Sequence, residues 1–182
     1  MTKKELRKLY KQKRTNLASE EIKQLEENIY HQIQDLNLTG IQNIHLFLPI
    51  VRQKEINTYP IINFLQQKGK TVIISKSDFS NNTLTHYILD KKTQLKENEY
   101  GIPEPINATE IDVTNIDMVF VPLLISDKNN YRVGYGKGFY DRFLSECKKN
   151  VKTLGINFFK PIGKISDLNK YDIPLNHVIY PQ

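Results

Sequence analysis

Cysteine is almost absent from this 182-residue chain. Cys147 stands alone, which excludes an internal disulfide and fits a reducing compartment, so the expected setting is the cytoplasm. Long apolar runs are missing as well. No stretch approaches the roughly 18 residues of a membrane span. No apolar segment follows the cations of Met-Thr-Lys-Lys-Glu-Leu-Arg-Lys, so no secretory signal is expected there. Internal repeats and Gly/Ser/Pro-rich linkers are lacking, and residues 1–182 are expected to form one domain. His31, His45, His86 and His177 are scattered without metal-ligand spacing, which argues against zinc.

What is present is ordinary in bulk: 39% hydrophobic and 25% charged residues, typical of a soluble enzyme with a real core. The formal net charge is +6. Such a balance suits nucleic acid, an anionic membrane or small polyanions, and a solvated basic surface explains it equally well. A nucleic-acid module would need a recognisable motif or an aromatic-and-basic surface, and the chain offers neither.

Periodicity places the elements. Residues 2–16 read as a helix with Thr2 as N-cap, Glu5 as its capping-box partner, and Leu6, Leu9 and Lys13 at helical spacing. A second helix after Ser19 carries Glu20 and Glu21 in its first turn and an apolar stripe of Ile22, Leu25, Ile29, Ile33 and Leu36. Strands are expected at Ile44–Leu48, Thr71–Ser75, Leu84–Leu89, Met118–Val121, Thr153–Phe158 and Val178–Tyr180. A helix capped by Thr58 runs to about Gln67 and stops at Gly69, and another follows from Phe139 to Lys149. Residues 90–116 read as polar loop. This alternation predicts an α/β fold: a single-domain, three-layer, Rossmann-like, mostly parallel sheet with helices on both faces. Ligands of such sheets bind beyond the carboxyl ends of the strands, which would bring Glu55, the segment after Val121 and Asp172 to one cleft.

The segment after Val121 is the most informative. Residues 132–142 read Arg-Val-Gly-Tyr-Gly-Lys-Gly-Phe-Tyr-Asp-Arg. Gly134, Gly136 and Gly138 remove every second side chain and let the backbone approach a ligand closely. Arg132, Lys137 and Arg142 point to an anion, a helix N-terminus follows as a phosphate seat, and Asp141 offers a hard oxygen for magnesium. The spacing is neither a Walker A loop nor the Gly-x-Gly-x-x-Gly of dinucleotide folds, and a plain tight turn before a helix is the bland alternative.

This loop resembles that of the 5-formyltetrahydrofolate cyclo-ligase family, also called methenyltetrahydrofolate synthetases. The likeness extends over nearly the whole chain: Lys3-Lys4-Glu5-Leu6-Arg7, Glu55-Ile56-Asn57-Thr58, Gly101-Ile102-Pro103-Glu104-Pro105, Val121-Pro122 before Asp127, and Tyr171-Asp172-Ile173-Pro174-Leu175-Asn176. It implies an enzyme that uses ATP and Mg²⁺ to convert 5-formyltetrahydrofolate to 5,10-methenyltetrahydrofolate, with ADP and phosphate as products. Reduced folate and ATP would then be its partners, with no nucleic acid, membrane or obligate protein partner.

The resemblance also implies residue roles. Lys3, Lys4, Glu5, Leu6 and Arg7 match the N-terminal ATP segment, and Arg132, Val133, Gly134, Tyr135, Gly136, Lys137, Gly138, Phe139 and Tyr140 match the nucleotide loop. Tyr135 through Phe139, with Ile50 and Glu55, match folate contacts. Lys137 is the expected catalytic cation at the transferring phosphoryl, and Asp141 and Asp172 match magnesium positions. The chain departs from the family at Leu124-Ile125-Ser126-Asp127, where Ala-Phe-Asp is usual, at Asn130 for a usual Gly, at Lys160 for Gln and at Tyr171 for His. A degenerate relative that binds nucleotide or folate without turnover is the alternative these departures leave.

Overall fold

In the computed structural model, which describes residues 1–182, two helices come first. Helix α1 (Lys3–Asn16) starts at Thr2, whose hydroxyl accepts from the Glu5 N–H at 3.3 Å while the Glu5 carboxylate accepts from the Thr2 N–H at 2.8 Å. This is the expected reciprocal cap. Its buried face is Leu6, Tyr10 and Arg14, and Lys13 is exposed, contrary to the sequence expectation. The stripe rotates because α1 rests on Leu124, Ile125 and Val133, which gather Leu6 and Tyr10 into one apolar cluster. Helix α2 (Ser19–Gln34) has its acidic first turn and buries Ile29 and Ile33.

The remaining elements follow as β1 (Asn43–His45), α3 (Tyr59–Gln67), β2 (Thr71–Asp78), β3 (Thr83–Ile88), β4 (Leu95–Glu97) and β5 (Pro103–Pro105). After them come β6 (Met118–Pro122), β7 (Ile125–Ser126), β8 (Arg132–Val133), α4 (Phe139–Glu146), β9 (Lys152–Ile156) and β10 (His177–Ile179). Six strands form one sheet in the order β10-β9-β6-β1-β2-β3, parallel throughout except for the β2–β3 hairpin at its edge. Each expected strand is present. Two small ribbons, β4–β5 and β7–β8, were not expected. The first carries Pro103 and Pro105 in polar sequence, and the second has strands of two residues, too short for periodicity to register. Gly69 follows α3 with φ +72°, the left-handed turn that stops a helix. Thr58 does not cap that helix by its side chain, because its hydroxyl donates to the buried Phe47 carbonyl at 2.7 Å.

Alternation along the strands builds two cores. Ile44, Leu46, Val72, Ile74, Phe120 and Ile156 join Ile29, Ile33, Ile61 and Leu65 of α2 and α3 in the larger one. Ile73, Val119, Val121 and Val178 face the other way and pack with Phe143 and Leu144 of α4. Each fully buried aliphatic or phenylalanine side chain contributes about 1.5–3 kcal/mol. No helix is long and apolar enough to cross a membrane.

The strand order decides where a ligand can sit. From β1 the chain crosses to β2 on one side, then returns past β1 to β6 on the other. The segments leaving the carboxyl ends of β1 and β6 therefore diverge, which opens a crevice between them.

Gly155 in β9 marks the tightest point of this packing. A Cβ there would lie 2.7 Å from Leu175 Cδ1 and 2.8 Å from Leu123 Cδ2. Gly155→Ala is expected to lower stability by about 1–3 kcal/mol through overpacking. Urea denaturation checks this: the midpoint should fall with an unchanged slope, and an unshifted midpoint would show that the two leucines yield freely.

Candidate active site

The crevice between β1 and β6 opens into a cleft of about 1050 Å³. One wall is the segment after β1, with Ile50 and Glu55. A second is the loop between β8 and α4. A third is the segment Asn169–Ile173, and α1 contributes Lys3, Arg7 and Lys11. The three sheet-edge segments expected to share a cleft do so.

The glycine loop is closed at its base. Arg132 before it and Asp141 after it form an ion pair at 2.7 Å, and Arg132 also donates to the Ile173 carbonyl at 2.6 Å. The Arg132 side chain is only 6% exposed. Burial lowers its pKa, and the nearby Asp141 and Asp172 charges oppose that shift. Arg7 reaches from α1 and donates to the Gly134 carbonyl at 2.9 Å, while Arg142 donates to the Lys137 carbonyl at 3.1 Å. Gly136 has φ +94°, and a Cβ there would stand 2.9 Å from Arg7 Cζ, so a side chain would meet both backbone strain and the guanidinium. Gly138, at φ +74°, is the N-cap of α4. Three arginines thus hold the loop's shape, while the exposed Lys137 ammonium forms no ion pair within the chain and lines the cleft.

Opposite the loop sits a buried carboxylate. Glu55 accepts from the Tyr135 hydroxyl at 2.6 Å and from the Ile50 N–H at 2.8 Å. Burial raises its pKa, and those two hydrogen bonds and the Arg14 charge lower it. Tyr135 in turn accepts from Arg14. The segment after β1 gains its shape from Lys54, at φ +48° and anchored by its ammonium to the Thr15 and Leu17 carbonyls at 2.7 and 2.8 Å.

The two aspartates expected as metal positions lie on one edge of the cleft. Asp141 accepts from the Ile173 N–H at 3.4 Å, next to Asp172 in the chain, and Asp172 is paired with the Lys3 ammonium at 2.7 Å. No group of three or more carboxylate, imidazole or thiol side chains is placed to hold a metal. Two hard carboxylates beside a cationic, glycine-lined loop do fit magnesium, which usually takes one or two carboxylates and completes its shell with other oxygens and water.

Not every residue of the expected site reaches the cleft. Lys4 is exposed outside it, Glu5 closes the Thr2 cap, and Leu6 and Val133 are core residues. Lys3, Arg7, Ile50, Glu55, Arg132, Gly134 through Asp141, and Asp172 all line it. Of the departures, Asn130 adopts the left-handed turn with φ +63°, Tyr171 lines the cleft and is 70% exposed, and Lys160 lies outside. Sequence reading passed over Arg14, whose spacing of four from Tyr10 and eight from Leu6 was the available signal.

It also passed over a polar line under the cleft floor. His45 Nε2 lies 2.7 Å from Ser75 Oγ, which lies 2.9 Å from His86 Nδ1. Both rings are buried against Phe143. Burial lowers the His86 pKa to about 4 and pushes that of His45 well below its usual value.

The sequence profile of the 5-formyltetrahydrofolate cyclo-ligase family matches residues 1–181. The chain is 30% identical over 155 residues to a 5-formyltetrahydrofolate cyclo-ligase of Mycoplasma genitalium, covering 84% of this chain and 82% of that one. It is 27% identical over 175 residues to the Haemophilus influenzae cyclo-ligase, covering 91% and 90%. The solution structure of Aquifex aeolicus 5,10-methenyltetrahydrofolate synthetase superposes with a TM-score of 0.84 at 27% identity, over 100% of this chain and 91% of that one. The synthetase of Mycoplasma pneumoniae gives 0.78 at 25% identity over 98% of both chains.

The two buried histidines set a pH dependence of stability. Their folded pKa values lie below the ordinary 6.5, so protons bind preferentially to the unfolded chain. Stability from this source is complete above pH 6.5 and falls as the pH drops towards about 4, by at most about 1.4 kcal/mol per pH unit for each histidine. Glu26 and Glu55, raised by burial, oppose this slope at its acid end. Urea titrations across this range should show a shallower slope in His86→Gln than in the unchanged protein; equal slopes would mean that His86 is not the source.

Proposed function

This chain belongs to the 5-formyltetrahydrofolate cyclo-ligase family, and we propose that it closes the 5,10-methenyl ring of 5-formyltetrahydrofolate at the expense of ATP, releasing ADP and phosphate. The observation that carries this reading is one cleft with two unlike walls. A glycine loop with an uncommitted lysine suits a polyphosphate, and a buried carboxylate beside a tyrosine suits the amino-pyrimidine edge of a pterin.

The chemistry needs both walls. A formyl group on nitrogen is amide-like, a weak electrophile with a poor leaving oxygen. Attack of that oxygen on the γ-phosphorus breaks the bond to ADP and gives an iminium phosphate. The folate N10 then attacks the former formyl carbon, its proton is lost, and phosphate departs with the original oxygen. Most of the catalysis is alignment of two substrates and neutralisation of moving charge.

The chain's residues divide that work. In this reading the Lys137 ammonium, which lines the cleft, balances the charge that develops on the terminal phosphoryl. Arg7 and the Gly134–Gly138 backbone shape the polyphosphate seat, and the start of α4 adds its dipole. Glu55 spends one hydrogen bond on each oxygen, so its remaining lone pairs can accept from the pterin donors. Asp141 and Asp172 would hold magnesium, which supplies charge neutralisation on the phosphates when bound. Lys3, paired with Asp172 in the free protein, is the cation that must yield to it.

A spectrophotometric assay tests the proposal. 5-Formyltetrahydrofolate with Mg-ATP should produce the near-ultraviolet absorbance of the methenyl product. Folded protein that binds ATP but gives no signal would instead be a relative without turnover. Lys137→Ala should lower kcat about 10²–10³-fold with little change in the KM for folate; a loss confined to KM would remove Lys137 from phosphoryl transfer.

Asp141→Asn should raise the Mg²⁺ concentration needed for half-maximal ATP binding. It should also lower stability, because Arg132 loses its charged partner. A stability loss alone, with magnesium dependence unchanged, would leave Asp141 as a structural counter-ion.

A further inference from the structure

Helix α1 carries seven lysines and arginines, and Arg14 alone among them is buried, with 5% exposure. It has no carboxylate within ion-pairing reach. Its side-chain hydrogen bond goes to the Tyr135 hydroxyl, and its Nε is buried without any partner. A guanidinium held this way is a poor contributor to stability, since burying a charge without a direct counter-ion costs free energy. Its position is better explained by what lies beyond the tyrosine.

The Tyr135 hydroxyl donates to Glu55 Oε1 at 2.6 Å, so one oxygen joins the guanidinium to the carboxylate. The tyrosine ring is also gripped by cations, with Arg14 Cζ 5.6 Å and Lys11 Nζ 5.1 Å from its centroid. The Ile50 N–H holds the second oxygen of Glu55. We propose that Arg14 is a positioning residue which, through the Tyr135 hydroxyl, keeps Glu55 ionised and aimed at the amino donors of the folate. The folate half of this rests on the function proposed above; the Arg14–Tyr135–Glu55 line does not.

The charge balance around Glu55 is compatible with this role. Burial in the cleft wall is the larger influence and raises its pKa, and the Tyr135 and Ile50 hydrogen bonds and the Arg14 charge limit that rise by favouring the anion. Other ionisable groups near it are few. Tyr140 on α4 is half-buried, and desolvation pushes its hydroxyl pKa up, so it is neutral; the Lys11 charge lies over the Tyr135 ring; and Lys54, next in the chain, is tied to backbone carbonyls. Arg14 is thus the cation connected by hydrogen bonds to this carboxylate. A neutral Glu55 would present one acceptor fewer and a competing O–H donor to the substrate.

The direct test is a carbon-13 NMR titration of the ligand-free, full-length protein labelled at glutamate Cδ, with Glu55→Gln to assign the signal. In Arg14→Met the Glu55 midpoint should rise by about one pH unit, and Arg14→Lys should restore most of that change. The KM for 5-formyltetrahydrofolate should rise about tenfold at the acid end of the profile and recover at higher pH, with the KM for ATP unmoved. An unshifted Glu55 midpoint in folded Arg14→Met overturns the proposal, as does an equal loss of folate affinity at every pH. Should Arg14→Met fail to fold, Tyr135→Phe breaks the same line while keeping Arg14. There a midpoint that does not rise overturns it equally. A risen midpoint in Arg14→Met, with the KM for folate unchanged at every pH, would uphold the Arg14 line and remove the folate reading.

Discussion

The ion pair between Arg132 and Asp141 is the contact on which the rest of the cleft depends. It ties the residue before the glycine loop to the first turn of the helix after it, so the ten residues from Arg132 to Asp141 become a closed ring. The same guanidinium holds the Ile173 carbonyl and so fixes the third wall. A loop of three glycines has high conformational entropy, and a single backbone shape persists only if its ends are pinned. Because the pair is largely buried, salt screens it much less than a surface pair.

That constraint sorts the cations by job. Arg132, Arg7 and Arg142 spend hydrogen bonds on the loop's backbone or its base, which suits a planar guanidinium with several fixed donors. Lys137 and Lys3, with compact ammonium groups on flexible stems, stay where an anion or a metal can redirect them. The opposite wall follows another logic. Glu55 sits in a poorly solvated place that raises its carboxyl pKa, and tyrosine, backbone amide and Arg14 together oppose that rise. The cleft therefore joins a cationic, solvent-open half to a dry half with one placed anion.

Much of this was legible in the sequence because it is local. The Thr2–Glu5 cap, the α2 stripe, the stop at Gly69 and the apolar strands each depend on residues a few positions apart. The glycine segment, with its flanking cations and Asp141, marked a loop that does line the cleft. Misses occurred where partners are distant. Thr58 reads as a cap, yet its hydroxyl serves the Phe47 carbonyl across the chain. The β7–β8 ribbon is too short to have a period, and without it nothing shows that α1 turns Tyr10 and Arg14 inward instead of Lys13.

By itself the sequence determined the four helices, the six strands of the main sheet, the α/β class and the residue chemistry available to the loop, since periodicity, capping and glycine spacing act over a few residues. The family resemblance grouped Lys3 through Arg7 as one expected binding segment. Only the tertiary structure decided that Lys3 and Arg7 face the cleft while Lys4 faces solvent and Leu6 the core, because a helix turns 100° at each residue and the docking surface chooses the face. Only the tertiary structure decided that Asp141 and Asp172 are held by Arg132 and Lys3, and that Glu55 shares a tyrosine with a buried arginine. The Lys3–Asp172 pair and the Arg14–Tyr135 contact, separated by 169 and 121 positions, depend on strand order, and strand order is settled by how the two faces of the sheet are covered.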